Sequence, residues 1–302
     1  MFPALQALTT HERAIVQNGP WWLVKWLDMR FAQRDYTMKS YALSGKILTL
    51  TGRMSVFRGR HLLEPEFVEV IENDHLSHWL WGDYRFLSGD DKSTWYYLLK
   101  SGAQMMYVPD ALTVTIENIS GSPINRMIEN LRRWCGNTLR NGARAIALGP
   151  KRTGFFIWWC LIDQRLSVWT MLTGHLIILT LSLTRTEAFI PAALLWIAFS
   201  RLSASVILFH SARRLDLSFP FLLYFNQLVG ALIRIYILFR LPLQKWKNRG
   251  DQKQGYEGHA DIKNWVANYL ILFYCAGIFL IVLLFLGVVS VPALPDFGMP
   301  DI

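Results

Sequence analysis

Apolar residues are distributed unevenly along the 302-residue chain. Residues 1–152 mix short apolar runs with charged residues, as a water-soluble domain does, whereas the rest of the chain contains much longer apolar runs. A membrane-spanning helix needs roughly 20 apolar residues, and the segments 155–183, 189–209 and 265–289 satisfy this requirement. The pattern therefore predicts a soluble part followed by a helical transmembrane region.

A further apolar segment, 219–241, contains residues that a bilayer disfavours, namely Pro220, Asn226, Gln227 and Arg234. Basic residues cluster at 126–152 and in the loop 242–263, and positively charged loops usually remain in the cytoplasm. Two membrane crossings between these clusters leave both on the cytoplasmic side, whereas three crossings would place them on opposite sides. We therefore predict that 219–241 lies at the membrane interface or re-enters the membrane; a fourth crossing is the alternative.

Within the soluble part, short apolar runs indicate alternating strands and helices. Residues 11–44 look helical, and their tryptophans fit either a helix at the membrane interface or an ordinary core helix. Residues 47–50 and 105–108 look like strands, and residues 66–81 look like a helix. Such alternation is typical of an α/β layer. The predicted divisions are a soluble part at 1–124, an amphipathic interface helix at 125–152 and a membrane region at 153–302.

The chain carries a formal net charge of +9. Such an excess suits anionic lipid headgroups or an anionic substrate. Nucleic acid is not an expected partner, because no nucleic-acid-binding motif accompanies the charge. Cys135, Cys160 and Cys275 have no metal-ligand spacing and are interpreted as free thiols.

The most distinctive polar stretch is Gly89-Asp90-Asp91, just ahead of the helical run 94–100. Aspartate is favoured at the start of a helix, so capping is one interpretation. The other is a catalytic base, because two neighbouring, partly buried carboxylates make one of them a better proton acceptor. His75 and His78 with Asp74 are a weaker candidate for a metal site, since a third ligand at zinc spacing is missing.

Residues 125–148 form a strongly patterned amphipathic helix, with apolar residues on one face and arginines on another. A basic amphipathic helix ahead of a membrane segment normally lies on the membrane surface. Its arginines either contact only lipid phosphates, or Arg133 and Trp134 face an active site. In the second case arginine would bind phosphate and the indole would stack on a sugar ring.

The order of these motifs resembles the second half of the catalytic domain in processive, membrane-bound family-2 glycosyltransferases, which include cellulose, chitin and hyaluronan synthases. In that family an acidic motif ends in the base aspartate, and a Gln-x-x-Arg-Trp motif follows on an interface helix. Gly89-Asp90-Asp91 is similar to the first motif, and Asn130-Leu131-Arg132-Arg133-Trp134 is similar to the second, with asparagine in place of glutamine. The run 51–58 looks like the family's acceptor strand, and the run 245–250 looks like its gating loop.

The resemblance implies a role for each matching residue. Asp91 would be the catalytic base, supported by Asp90. Arg133 and Asn130 would bind the departing diphosphate. The remaining implied residues are Trp134, Gly52 and Arg53 for the acceptor and product, and Lys247 and Arg249 for the gating loop. The implied fold is a partial GT-A-type α/β glycosyltransferase domain joined to an α-helical transmembrane bundle with interface helices.

Four runs are especially similar to the alginate (mannuronan) synthases within this family, namely 16–22, 48–53, 86–95 and 158–165. This likeness implies transfer of mannuronate from GDP-mannuronic acid to a growing β-1,4-linked polymannuronate, with passage of the polymer across the inner membrane of a bacterium. It also implies a cytoplasmic transferase part, other alginate export and regulatory subunits, and a partner protein that binds cyclic di-GMP.

In the family, a nucleotide-binding segment with an Asp-x-Asp metal site precedes this region. Residues 1–50 do not contain it, so we expect the chain to be the carboxy-terminal part of a synthase. The divalent metal, Mg²⁺ or Mn²⁺, would then have no ligands in this chain, which would be inactive alone. The rival readings are a non-catalytic membrane subunit for scaffolding or export, and a synthase of another polysaccharide.

Overall fold

The structure is a computed structural model, and it describes residues 4–72, 74–85, 90–119, 121–212, 216–243 and 259–290. The strands are β1 (Leu5–Gln17), β2 (Ser55–Phe57), β3 (His75–His78), β4 (Gly82–Arg85) and β5 (Gln104–Asn118). β2, β1 and β5 form one sheet in that order, in which β1 is antiparallel to β2 and parallel to β5. β3 and β4 form a separate antiparallel hairpin.

The helices alternate with these strands and then follow one another without strands. They are α1 (Trp21–Ala42), α2 (Pro65–Glu72), α3 (Asp90–Lys100), α4 (Pro123–Ala147), α5 (Gly149–Thr153), α6 (Phe155–Thr184), α7 (Phe189–Leu208), α8 (Phe219–Leu238) and α9 (Ala260–Phe285). Of the helices in the described part of the chain, α6, α7, α8 and α9 are long and apolar enough to cross a membrane. The expected α/β part with a helical membrane bundle is therefore confirmed.

Two predicted helices were too long. The helix expected over 11–44 begins only at Trp21, because residues up to Gln17 belong to β1 and pair with β5 from His11↔Leu112 to Gln17↔Asn118. Pairing with a distant strand overrides local helical propensity. The helix expected over 66–81 ends at Glu72, and the β3–β4 hairpin follows.

The strand expected at 105–108 is longer than predicted, since β5 continues to Asn118 despite Pro109. Thr10 pairs with Val108 and His11 pairs with Leu112, so the residues in between form an irregularity that accommodates the proline. The run 47–50 is not a strand, although Ile47 and Leu50 are fully buried.

A hydrophobic core joins the soluble part to the start of α6. It includes Trp95 and Leu98 of α3, Met105 of β5, and Ile157 and Leu161 of α6. The helix that begins with the two aspartates is therefore packed, through its apolar face, against the base of the helical bundle. This fixes the position of the acidic motif relative to the membrane region.

Helix α8 packs along α4 near both of its ends. Phe219 and Leu223 share a cluster with Leu131 of α4, and Ile237 shares another cluster with Leu139 of the same helix. Beyond the end of α8, the Trp81 indole donates a hydrogen bond of 2.8 Å to the Phe239 carbonyl. Contact of both ends of α8 with the amphipathic helix α4 favours the interface interpretation of 219–241, which stays a prediction.

Candidate functional site

A cavity of about 730 Å³ lies where the soluble part meets the helical bundle. Its walls come from α1, α4, α6, α7 and α8, from the start of α3 and from the segment 48–53. Asp91, Gly52, Arg53, Arg133 and Trp134 all line it. Residues that are far apart in the sequence therefore meet in one space.

The geometry around Asp91 brings it against the glycine turn. A Cβ atom added at Gly52 would lie 3.7 Å from the Asp91 Cβ and 3.9 Å from its Oδ2. The Asp91 Oδ1 accepts a hydrogen bond of 2.9 Å from the Lys92 backbone N–H within the first turn of α3. Asp90 is the first residue of α3, and its side chain lies outside the described part of the chain. Negative charge is favourable at this end of a helix.

Lys92 connects this turn to the acid-bearing helix. Its Nζ donates a hydrogen bond of 2.6 Å to the Leu48 carbonyl and lies 4.8 Å from the centre of the Trp95 ring. Burial lowers the pKa of Lys92 to about 8, although the negative charge of Asp91 acts in the opposite direction. Lys92 thus holds the segment before Gly52 against α3, so that Gly52 and Asp91 stay together.

Arg53 is anchored to the sheet. It donates hydrogen bonds to the hydroxyl of Thr115 and, at 2.7 Å, to a carboxylate oxygen of Glu117. Its guanidinium also lies 5.1 Å from the centre of the Phe31 ring. Arg126 lies 3.7 Å from the other Glu117 oxygen. Arg53 therefore presents an oriented, partly neutralised cation to the cavity.

Arg133 and Asn130 come together on α4. The Arg133 Nη2 donates a hydrogen bond of 3.4 Å to the Asn130 Oδ1. Burial lowers the pKa of Arg133, and the nearby Arg126 acts in the same direction, whereas Asp91 raises it. Arg133 is thus an electrostatic neighbour of the acid, and Asn130 reaches the site through Arg133.

Trp134 lines the cavity but already has protein neighbours. Its ring stacks on the Trp26 ring, with centroids 6.1 Å apart and planes 16° apart. The guanidinium of Arg30 lies 5.3 Å from the centre of the same ring. A sugar that stacks on Trp134 would have to share the ring with these two groups.

The sequence analysis does not assign five of the arginines that line the cavity to the site, namely Arg30, Arg34, Arg126, Arg201 and Arg234. The prediction for α1 relies on its tryptophans and does not consider Arg30 and Arg34. These two arginines are four residues apart, which places both on one helical face and could have indicated a shared site. Arg201 belongs to α7, inside a predicted membrane span, where an arginine is costly and usually functional.

Other sequence candidates fall elsewhere. His75 and His78 do not share a helical face, because they lie three residues apart on strand β3 and so point to opposite sides. The His78 Nδ1 accepts a hydrogen bond from the Leu80 backbone N–H. Lys247 and Arg249, predicted as gating residues, lie outside the described residues.

Two of the carboxylates that line the cavity, Glu12 and Glu117, do not fit a divalent-metal site. Glu12 pairs with Arg34 at 2.9 Å, and Glu117 pairs with Arg53 at 2.7 Å, so cations already occupy the surroundings of both. The described residues contain no group of three or more His, Cys, Asp or Glu side chains that could hold a metal ion. Family-2 glycosyltransferases commonly use a divalent metal, but no step here is assigned to one.

Comparison with known proteins shows what the chain is similar to. Residues 1–137 match the family model described as "Glycosyltransferase like family 2". Over 254 residues, 84% of this chain and 51% of the relative, the chain is 42% identical to the protein named Glycosyltransferase alg8 of Pseudomonas syringae pv. tomato. Over 281 residues, 91% of this chain and 56% of the relative, it is 40% identical to the protein of the same name from Azotobacter vinelandii. The chain therefore spans about half the length of these relatives.

Proposed function

We propose that this chain, whose residues 1–137 form a glycosyltransferase-2-like domain, carries the acceptor and product part of a processive mannuronan synthase. It would help to polymerise mannuronate from GDP-mannuronic acid into β-1,4-linked polymannuronate and pass the polymer across the inner membrane. The observation that carries the proposal is the single cavity that joins Asp91 and Gly52 to arginines of the helical bundle.

The reaction would be an inverting displacement. Asp91 accepts the proton of the acceptor's 4-hydroxyl as the hydroxyl oxygen attacks the anomeric carbon of the donor. The bond from that carbon to the diphosphate oxygen breaks, and GDP leaves with the electron pair. Arg133, held by Asn130, stabilises the charge on the departing diphosphate. Asp90 supports Asp91, and Lys92 keeps α3 against the glycine turn.

The acceptor would occupy the space in front of Asp91. Gly52 leaves room for it, because any side chain there would extend toward the acid. Arg53 faces the same space and is oriented by Glu117. Trp134 contributes to the same wall of the cavity, together with its neighbours Trp26 and Arg30.

The donor and metal sites would lie in the portion of the relatives that this chain does not span. We therefore propose that the chain is inactive alone and acts with that portion. The proposal also includes a gating role for Lys247 and Arg249, a cytoplasmic transferase part, and export subunits with a partner that binds cyclic di-GMP.

The alternative from another class is a non-catalytic subunit for scaffolding or export. The position of Asp91 beside Gly52, in a cavity that Arg133 also lines, favours the catalytic alternative. The alternative of a neutral polysaccharide is disfavoured by the arginines along the cavity, because each mannuronate residue carries a carboxylate and a glucose residue does not.

The test measures polymer formation from labelled GDP-mannuronic acid in membranes that contain the other alginate components but no full-length synthase. We expect no incorporation with this chain alone and incorporation after addition of the amino-terminal half of a relative. Asp91→Asn should abolish that incorporation without affecting membrane insertion. Incorporation by the chain alone would overturn the two-part site, and polymer formation by Asp91→Asn would overturn the assigned base.

A further inference from the structure

The arginines that line the cavity differ in their charge partners. Arg34 is paired with Glu12 at 2.9 Å, and Arg53 is paired with Glu117 at 2.7 Å. The cavity is also lined by Arg30 of α1, Arg201 of α7 and Arg234 of α8. Among the described residues, no ion pair involves any of these three arginines.

Two buried polar atoms of residues that line the cavity also lack hydrogen-bond partners. Within the part of the chain that the structure describes, the buried Nε of Arg201 has no partner, and neither has the buried Oδ1 of Asn226 on α8. Both residues line the cavity. Buried donors and acceptors are normally satisfied, and an unsatisfied one costs free energy. The carboxylate of a bound uronate would accept a hydrogen bond from the Arg201 Nε–H, and a sugar hydroxyl would donate one to the Asn226 Oδ1.

Arg30 and Arg234 are electrostatic neighbours, and Arg201 lines the same cavity. Burial lowers the pKa of Arg30 to about 10, and the positive charges of Arg234 and Arg34 act in the same direction, whereas Cys135 raises it. Like charges that approach each other in a low-dielectric setting repel strongly. The cluster therefore favours an anion, and arginine in particular suits the planar, two-oxygen geometry of a carboxylate.

We propose that Arg30, Arg201 and Arg234 form a carboxylate-binding subsite that holds a uronate residue of the polymer after it has moved past Asp91. The inference rests on the proposed function, since it concerns the product of the same site. The subsite would make the enzyme retain an anionic chain in preference to a neutral one of equal length.

Trp134 has a positioning role in this subsite. The stack of Trp26 on Trp134, with Arg30 over the Trp134 ring, gives the Arg30 guanidinium a rigid aromatic support. A cation over an indole face is favoured electrostatically, and the planar contact restricts the guanidinium. The donors of Arg30 remain available for a carboxylate, because they do not take part in that contact.

The experiment measures binding of a mannuronate hexasaccharide to the full 302-residue chain in an uncharged detergent, with cellohexaose as a neutral probe of equal length. The variants are Arg30→Gln, Arg201→Gln and Arg234→Gln, with Arg201→Lys to retain the charge. The matched control is Arg185→Gln, an exposed arginine in the turn between α6 and α7. Thermal unfolding checks that each variant is folded.

We expect the native chain to bind the uronate more tightly than the neutral probe, with an affinity that falls as salt rises. Each glutamine variant should weaken uronate binding by about tenfold or more, as for a lost charge-assisted contact, and should leave cellohexaose binding unchanged. Arg201→Lys should recover part of the loss, and Arg185→Gln should show none.

Two outcomes would overturn the subsite: equal affinity of the native chain for both probes, or equal weakening of both probes by the variants. The anion could instead be a lipid phosphate, so binding is repeated in the presence of phosphatidylglycerol. Displacement of the uronate by that lipid, without any uronate preference of the native chain, would assign the arginines to lipid. If the arginine variants bind normally while Asp91→Asn abolishes synthesis, only the subsite fails.

Discussion

A side chain at Gly52 would contact Asp91, although the two residues lie 39 positions apart in the sequence. A Cβ at position 52 would lie 3.7 Å from the Cβ and 3.8 Å from the Cγ of Asp91. Gly52 is not among the glycines with a positive φ, so its conformation does not require glycine. What glycine provides at this position is space beside the Asp91 carboxylate.

Replacement of Gly52 should therefore lower polymer formation while the chain still folds. Gly52→Ala places one methyl group at ordinary contact distance, so we expect a folded chain with reduced polymer formation. Gly52→Leu extends into the space in front of Asp91 and should lower synthesis on the order of 10²-fold, as for a displaced acceptor. Polymer formation by the completed synthase and thermal unfolding in detergent measure the two effects.

The matched control is Gly59→Ala, because Gly59 is exposed and a Cβ there would have no neighbour within 4 Å. This variant should resemble the native chain in both assays. Full activity of Gly52→Leu would show that the acceptor does not pass position 52.

Asp35 of α1 should govern stability in acid. It is buried, and it accepts hydrogen bonds of 2.6 Å from the Tyr107 hydroxyl and 2.6 Å from the Lys39 ammonium. Burial alone would raise the pKa of Asp35, but the hydrogen bonds from His11, Lys39 and Tyr107 outweigh this and lower it below the ordinary value of 3.8. The folded state therefore binds this proton less readily than the unfolded state does.

The stability that Asp35 contributes is thus present above its ordinary pKa and is lost as the pH falls from there through the lowered pKa of the folded state. Asp35→Asn should destabilise the chain by about 1.5–3 kcal/mol at neutral pH, as for lost hydrogen bonds to a charged group. It should also reduce the fall in unfolding temperature on acidification. Unfolding temperatures in detergent from pH 7 down to roughly pH 2 test this, with the exposed Asp110→Asn as control. An unchanged acid decline in Asp35→Asn would contradict the assignment.

The sequence predicts which residues lie together better than it predicts the architecture around them. Asp91, Gly52, Arg53, Arg133 and Trp134 are all predicted site residues, and the structure brings them to one cavity. These residues belong to short contiguous motifs whose side-chain types are specific. Their roles in the reaction stay predictions.

The errors occurred where distant contacts decide the structure. β1 pairs with β5 over a separation of roughly 100 residues, and no local pattern reveals such a partner. The arginines of the cavity were missed for the same reason, since Arg30, Arg201 and Arg234 meet only after three helices pack together. Apolar length, in contrast, is a local property, and it located the membrane helices.

A double-variant comparison should reveal how Trp134 acts. If the indole works by supporting Arg30, then Trp134→Phe and Arg30→Gln should not be additive in mannuronate binding. The double variant should lose no more affinity than Arg30→Gln alone, with a coupling of roughly 0.5–3 kcal/mol. Binding of the mannuronate hexasaccharide is measured for the native chain, for each single variant and for the double variant. Additive losses would instead support direct stacking of Trp134 on the sugar.

The position of α8 can be tested by cysteine labelling. The native cysteines are replaced by serine, and single cysteines are introduced at Glu187 in the α6–α7 turn, at Leu217 before α8 and at His259 before α9. Because α8 packs on α4 at both ends, we expect the positions before and after it to lie on the same side of the membrane. A membrane-impermeant maleimide should therefore label the cysteines at 217 and 259 from one side, and the cysteine at 187 from the other.

The reagent can reach all three positions, since Leu217 is 93% exposed and Glu187 and His259 are also exposed. If α8 crosses the membrane, the cysteine at 259 should instead be labelled from the same side as the one at 187. That result would also move Arg234 and Asn226 deeper into the bilayer, where unpaired polar groups are far more costly. With α8 at the interface, Arg234 and Asn226 instead lie at the boundary between the soluble part and the bundle.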